Sequence, residues 1–153
     1  MQTVIKIVEV DPKNTPHAKL LQTLYNALDT EQTAMFVKAT DINDSVPYDM
    51  PLDERVNGEL LTLLYMDTPV AICDYRIVPE GKNFTMVVSS LYVDTAYRNK
   101  GYASRIMKHL VDIARKRHCD VWTLNVMVGN EIAIKLYERF GLKLYSHSMM
   151  GKI

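Results

Sequence analysis

Apolar residues recur at two spacings along this chain, and the switches between them divide it into elements. Alternation of β-branched residues in TVIKIVEV (Thr3–Val10) predicts a strand. From Thr15 the spacing lengthens: Leu20, Leu21, Leu24, Tyr25 and Leu28 repeat at three and four, with Thr15 as N-cap and Pro16 at the first helical position. A second, weaker helical piece covers Gln32–Lys38. The acidic segment Asp41–Asn57 contains Pro47 and Pro51 and reads as a loop. ELLTLLYM (Glu59–Met66) and PVAICDYRIV (Pro69–Val78) flank a short turn as a hairpin, and after the turn PEGKN comes the nearly continuous apolar strand FTMVVSSLYV (Phe84–Val93). Ala103, Ile106, Met107, Leu110, Ile113 and Ala114 form one helical stripe. VWTLNVMV (Val121–Val128) is then a strand, NEIAIKLYERF (Asn130–Phe140) a helix closed by Gly141, and LKLYSHSMM (Leu142–Met150) a final strand.

That order predicts an α/β (α+β) domain with a mixed sheet of six or seven strands. The unit Phe84–Val128 is strand–helix–strand, so its two strands should be parallel. A length of 153 residues suits a single domain with a sizeable core, residues 1–153 throughout.

Composition removes several classes of function. Lys and Arg number 18 and Asp and Glu 18, a formal net charge of zero that gives no general attraction to nucleic acid or acidic membrane. No apolar run approaches the ~18 residues of a membrane span, and the N-terminus does not read as a signal peptide. A cytoplasmic location is expected. Cys73 and Cys119 lack metal-ligand spacing and sit in apolar surroundings, as reduced thiols do. No metal is expected, and the four histidines show no ligand spacing.

The zero net charge hides an asymmetry. Arg98–His118 carries seven Lys and Arg against Asp112 alone, whereas Asp41–Glu59 carries six acidic residues against Arg55. Solvated surface accounts for most of both runs. The first also surrounds RNKGYA (Arg98–Ala103), which opens the apolar-striped helix. A strand that ends in a turn and enters a helix directly leaves backbone N–H groups free at the positive end of the helix dipole, a natural anion site. Gly101 and Ala103 leave room there, and Arg98 and Lys100 add charge. The glycine pattern is neither a Walker A loop nor a dinucleotide fingerprint.

Arg-x-x-Gly-x-Ala alone is a weak signal. In context it resembles the acyl-CoA loop of the GNAT superfamily of N-acetyltransferases, with the strand before it. The stretch NEIAIKLYERFGLKLY, beginning at Asn130, is similar to that family's second signature. The clear resemblance covers Phe84–Met150. It implies the GNAT fold, a mostly antiparallel sheet with helices on both faces, and acetyl-CoA as co-substrate. Arg98, Asn99, Lys100, Gly101, Tyr102, Ala103 and Ser104 would hold the pyrophosphate. Leu91, Tyr92 and Val93 would pair with the pantetheine arm, and a backbone N–H near Leu91 would polarise the carbonyl. Asn130 and Ala133 would add contacts, and Tyr137 would protonate the departing thiolate.

The resemblance is incomplete. Many relatives carry a glutamate on the strand where this chain has Ser89 and Ser90, so Asp74, Asp94, Glu59 and a water chain remain open as proton acceptors. The implied activity is direct acetyl transfer to a primary amine of a small molecule or protein. A non-catalytic acyl-CoA-binding sensor or interaction module is the alternative. Homodimers are common among relatives, and the final strand could pair across one. Tyr65, Tyr75, Tyr92 and Tyr145 are candidates for an acceptor pocket. The acidic loop hints at a cationic acceptor such as a polyamine or aminoglycoside, and solvation explains it equally well.

Overall fold

The computed structural model describes residues 4–43 and 50–153. Two compact units divide the chain: Met1–Tyr25 with Met50–Asn125, and Asn26–Asp49 with Val126–Ile153.

The first unit holds one five-stranded sheet: β1 (Ile5–Val10), β2 (Glu59–Tyr65), β3 (Thr68–Glu80), β4 (Asn83–Val93) and β5 (Cys119–Leu124), adjacent in that order. The first four run antiparallel, and β4 pairs with β5 in parallel, as a strand–helix–strand unit requires. Leu60, Leu61, Leu63, Ala71, Ile72 and Cys73 are all at most 2% exposed. Neighbours on a strand point to opposite faces, so the middle of the sheet is covered on both. Helix α3 (Tyr102–Lys116) connects β4 to β5 and buries Tyr102, Ile106, Met107 and Leu110; the last three are the centre of the expected stripe, while its Ala103, Ile113 and Ala114 are half-buried.

The second unit takes the later part of helix α1 (Ala18–Thr40), helix α4 (Glu131–Arg139) and the C-terminal segment. The two helical pieces expected before residue 40 are thus one helix. No Gly or Pro separates Leu28 from Gln32, and nothing there breaks the backbone ladder. Its start lies two residues later than expected, and Thr15 Oγ1 accepts the His17 N–H at 3.2 Å in the turn before it.

Other expectations need correction. The strand Leu142–Met150 is not formed: the segment is irregular, with Leu144, Tyr145 and Met149 at least 77% exposed. Among the described residues the sheet therefore has five strands, not six or seven. β5 spans Cys119–Leu124 instead of Val121–Val128. The expected loop Asp41–Asn57 contains a one-turn helix, α2 (Leu52–Arg55), which starts just after Pro51. Its residues Asp44–Asp49, like Thr3 of the first strand, lie outside the described residues. Among the described residues no helix is long and apolar enough to cross a membrane.

Candidate active site

The site begins where β4 changes partners. Asp74 on β3 faces Ser90, but the next residue, Tyr75, faces Val88, so Ser89 is an extra residue without a partner on β3. This is a β-bulge, which bends a strand and re-aims the side chain it carries. At the same point the parallel ladder stops: Val88 pairs with Leu124, and Ser89–Val93 continue past the end of β5. Leu91, Tyr92 and Val93 therefore pair with β3 on one side and with no strand of the described residues on the other.

The opening so formed holds a cavity of about 240 Å³, with polar walls from Asn57, Arg76, Ser89, Thr123 and Asn125. The Asn57 amide and the Arg76 guanidinium each donate to Ser89 Oγ at 3.4 Å. Asn57 is fixed by its neighbour. Gly58 has φ +103°, and a Cβ there would lie 2.3 Å from the Tyr75 carbonyl oxygen. Only glycine lets the chain approach β3 this closely.

Asp74 lies on the same strand as Arg76, two residues earlier and so on the same face. It is wholly buried, and its Oδ2 accepts the Asn57 N–H at 2.7 Å. Its Oδ1 and the buried Tyr25 hydroxyl have no hydrogen-bond partner among the described residues. Burial above all pushes the Asp74 carboxyl above its usual range, while the Asn57 N–H, the Ser90 hydroxyl and the Arg55 charge pull it back. The Tyr25 phenol is raised by burial and then by Asp74, with the Arg55 guanidinium 5.0 Å above its ring. The other two candidate bases are engaged elsewhere. Glu59 pairs with Arg117 at 3.3 Å on an exposed surface. Asp94 accepts the Ala96 N–H and caps a 3-10 turn at Thr95–Tyr97.

A carboxyl raised on folding binds its proton more tightly in the folded chain. The stability it contributes is greatest below the unfolded value of about 3.9 and declines as pH rises toward the folded one. Asp74→Asn, which keeps an acceptor for Asn57, should remove that decline. Its melting temperature relative to the parent should improve as pH rises above about 4. A difference that does not vary with pH would contradict the burial of an ionising group at this position.

The loop after β4 carries the second group of residues. Arg98 is turned back on the strand: its Nε donates to the Val93 carbonyl at 2.9 Å and its guanidinium lies 5.1 Å over the Tyr92 ring. Asn99 (φ +64°) and Gly101 (φ +79°) are both left-handed, conformations best tolerated by these two residue types. Gly101 caps α3, and the first intrahelical bond runs from the Arg105 N–H to the Gly101 carbonyl at 3.1 Å. The N–H groups of Tyr102, Ala103 and Ser104 precede that bond and have no place in the helical ladder. A Cβ built on Gly101 would meet nothing within 4 Å, so the space above these donors is open. Donors, dipole, Lys100 and the unpaired edge of β4 together fit a long ligand with a pyrophosphate at one end and an amide-containing arm at the other.

In the second unit, the Asn130 side chain accepts the Ala133 N–H at 3.4 Å and caps α4. Tyr137 is half-buried one helical stretch later, and its carbonyl accepts from Phe140 and Leu142 as the helix ends. The tyrosines expected around an acceptor do not line the cavity. Tyr75 and Tyr92 are buried, Tyr65 packs against Tyr97 at 5.6 Å, and Tyr145 is 95% exposed. The polar walls Asn57, Arg76, Thr123 and Asn125 were not legible as site residues. The two serines interrupting an apolar strand were the one signal of the opening, since Ser89 is the bulge residue.

Residues 21–142 match the acetyltransferase (GNAT) family. The chain belongs to that family and is an N-acetyltransferase by class. It is 25% identical over 135 residues to N-alpha-acetyltransferase 30 of Saccharomyces cerevisiae, covering 79% of this chain and 76% of that protein. It is 29% identical over 86 residues to the spermine/spermidine N(1)-acetyltransferase of Bacillus subtilis, covering 53% of this chain and 57%, a little over half, of that enzyme. Among solved structures, a possible acetyltransferase from Clostridium difficile 630 superposes with a TM-score of 0.71 at 18% identity, over 95% of each chain. An integron cassette protein from the mobile metagenome of V. cholerae superposes with a TM-score of 0.70 at 22% identity, over 92% of this chain and 86% of the other.

Proposed function

We propose that the protein transfers an acetyl group from acetyl-CoA to a primary amine by direct attack at the opening between β4 and β5. The observation that carries this reading is the divergence of the two strands at Ser89, beside the open N-terminus of α3. Bound acetyl-CoA supplies the activated acetyl group. Tyr102, Ala103 and Ser104 N–H groups, with Asn99, Lys100 and Gly101, receive its pyrophosphate, while Arg98 shapes the loop by holding Tyr92 and Val93. Leu91, Tyr92 and Val93 offer their free edge to the pantetheine amides, and a backbone N–H near Leu91 polarises the carbonyl under attack. Asn130 and Ala133 complete the contacts at the start of α4.

Two proton transfers remain. Tyr137 donates its phenolic proton to the departing thiolate, so that CoA leaves as the neutral thiol. Asp74 takes the proton from the amine, with the Ser90 hydroxyl, its neighbour across the ladder, as the relay. A carboxyl raised by burial is a stronger base than an exposed one.

Thiol release measured with acetyl-CoA and a panel of amines tests the reading. Turnover with one amine class supports it, whereas tight CoA binding without turnover on any amine would favour a sensor or interaction module. Gly101→Val should weaken CoA binding by about tenfold in calorimetry, because the branched side chain occupies the space above the donors and strains φ. Unaltered affinity would displace the cofactor from this loop. By analogy with the family, the working protein would be a cytoplasmic homodimer.

A further inference from the structure

The cavity beside Ser89 has a charge that the reaction itself does not explain. The transfer needs a neutral amine and a base, yet the ionised side chain on its wall is the cation Arg76. Arg76 is half-buried, and the Ser89 hydroxyl at 3.4 Å is its hydrogen-bond partner. No carboxylate of the described residues pairs with it. The nearest acidic position on its own strand, Asp74, is sealed from solvent and already accepts from Asn57. Glu59, across the ladder from Tyr75, is bound to Arg117. The remaining polar walls, Asn57, Thr123 and Asn125, carry amides and a hydroxyl and no charge. A guanidinium has five donors in a planar fork, and among the described residues one is used. Its geometry matches two oxygens of a carboxylate or phosphate.

We propose that Arg76 recognises an anionic group on the acceptor, so that the preferred substrates carry a carboxylate or phosphate beside the amine to be acetylated. This rests on the opening at Ser89 being the acceptor site. It reverses the sign suggested by the acidic run before β2: a polyamine would bring further positive charge to a wall that already holds one. Asp74 and Arg76 lie two residues apart on one face of β3, about 7 Å along the strand. Asp74 itself is sealed, so an acceptor of amino-acid size sets its acid group on Arg76 and gives up its amine proton through the Ser90 relay. The Ser89 hydroxyl keeps the guanidinium aimed into the opening; a glutamate there would have neutralised it.

The test uses matched acceptors that differ only in the acid group: amino acids against their amides, and phosphoethanolamine against ethanolamine, with spermidine as the cationic comparison. Wild-type protein should favour one of the acid-bearing members by at least about tenfold in kcat/KM. Arg76→Gln should raise the KM for that acceptor by about 10- to 100-fold and leave the KM for acetyl-CoA unchanged. Arg76→Lys should recover part of the loss, because it restores the charge but not the fork. The amino-acid and phosphoethanolamine arms separate a carboxylate from a phosphate. Preference for spermidine or for the amides would overturn the proposal, and so would a matching loss of acetyl-CoA affinity in Arg76→Gln. Calorimetric titration of glutamate and phosphoethanolamine into the CoA complex reads the site without turnover. Binding of either probe that disappears in Arg76→Gln would uphold the anion site even if no amine were acetylated, whereas binding of neither would refute it.

Discussion

Tyr137→Phe should lower kcat by about 100-fold while leaving the KM for acetyl-CoA nearly unchanged, the range expected when a positioned proton donor is removed. The substitution deletes one oxygen and keeps the ring. Tyr137 is half-buried near the C-terminal end of α4, and its ring can remain in place without the hydroxyl. A loss of packing would instead appear as a lower melting temperature and a higher KM. Stability should therefore fall by less than about 1 kcal/mol, a surface-type change. The leaving thiolate is the species affected, so an acyl donor with a more acidic thiol should regain part of the rate. Unchanged kcat would remove Tyr137 from the acid role, and a fall matched by unfolding would assign the residue to packing.

Gly58→Ala should have the largest effect on stability of any single methyl addition in the first unit. Two costs add there. The backbone is at φ +103°, where L-residues are strained, and the new Cβ would lie 2.3 Å from the Tyr75 carbonyl oxygen and 2.9 Å from the Arg76 Cβ. Backbone and a strand residue cannot move aside as the tip of a long side chain can. We expect a loss of about 3–4 kcal/mol, lowering the melting temperature by about 10 °C. Gly101→Ala is the control. Its φ of +79° is also left-handed, but its Cβ would meet nothing within 4 Å, so it should cost only about 1–2 kcal/mol. Equal losses at the two glycines would mean that backbone strain dominates and close approach contributes nothing. The position also has a functional consequence, because the displaced segment of β3 carries Asp74 and Arg76.

Much of the fold could be read from the chain because its patterns are local. The stripe in α3, the hairpin of β2 and β3, the turn before β4 and the parallel unit around α3 each follow from spacing and turn residues within a few positions. The Gly101 loop was legible for the same reason. What could not be read depends on partners distant in sequence. LKLYSHSMM alternates well enough for a strand, but β-propensity describes how a segment fits beside another, and the alternation cannot supply the neighbour. Asp74 was one of three candidate bases in the sequence, and nothing local indicated that it pairs with Ser90 and accepts the Asn57 N–H. Arg76 had no sequence signal at all: it is an ordinary alternating residue of a strand, and the role proposed for it comes from the cavity it lines. Arg98 shows the converse. Its position in the motif was plain, but its engagement with Val93 and Tyr92 was not, and that contact makes it part of the loop's framework as much as of its charge.

The bulge at Ser89 also bears on how the chain length itself encodes the site. Removing this one residue would bring Tyr75–Val88 and Asp74–Ser90 together as consecutive pairs of an unbroken ladder, with inward and outward positions still in phase on both strands. Every other partner of β3 and β4 would keep its place. A chain one residue shorter could thus fold into a regular ladder between these two strands, so one residue of β4 separates a continuous pairing from the bulge that bends it.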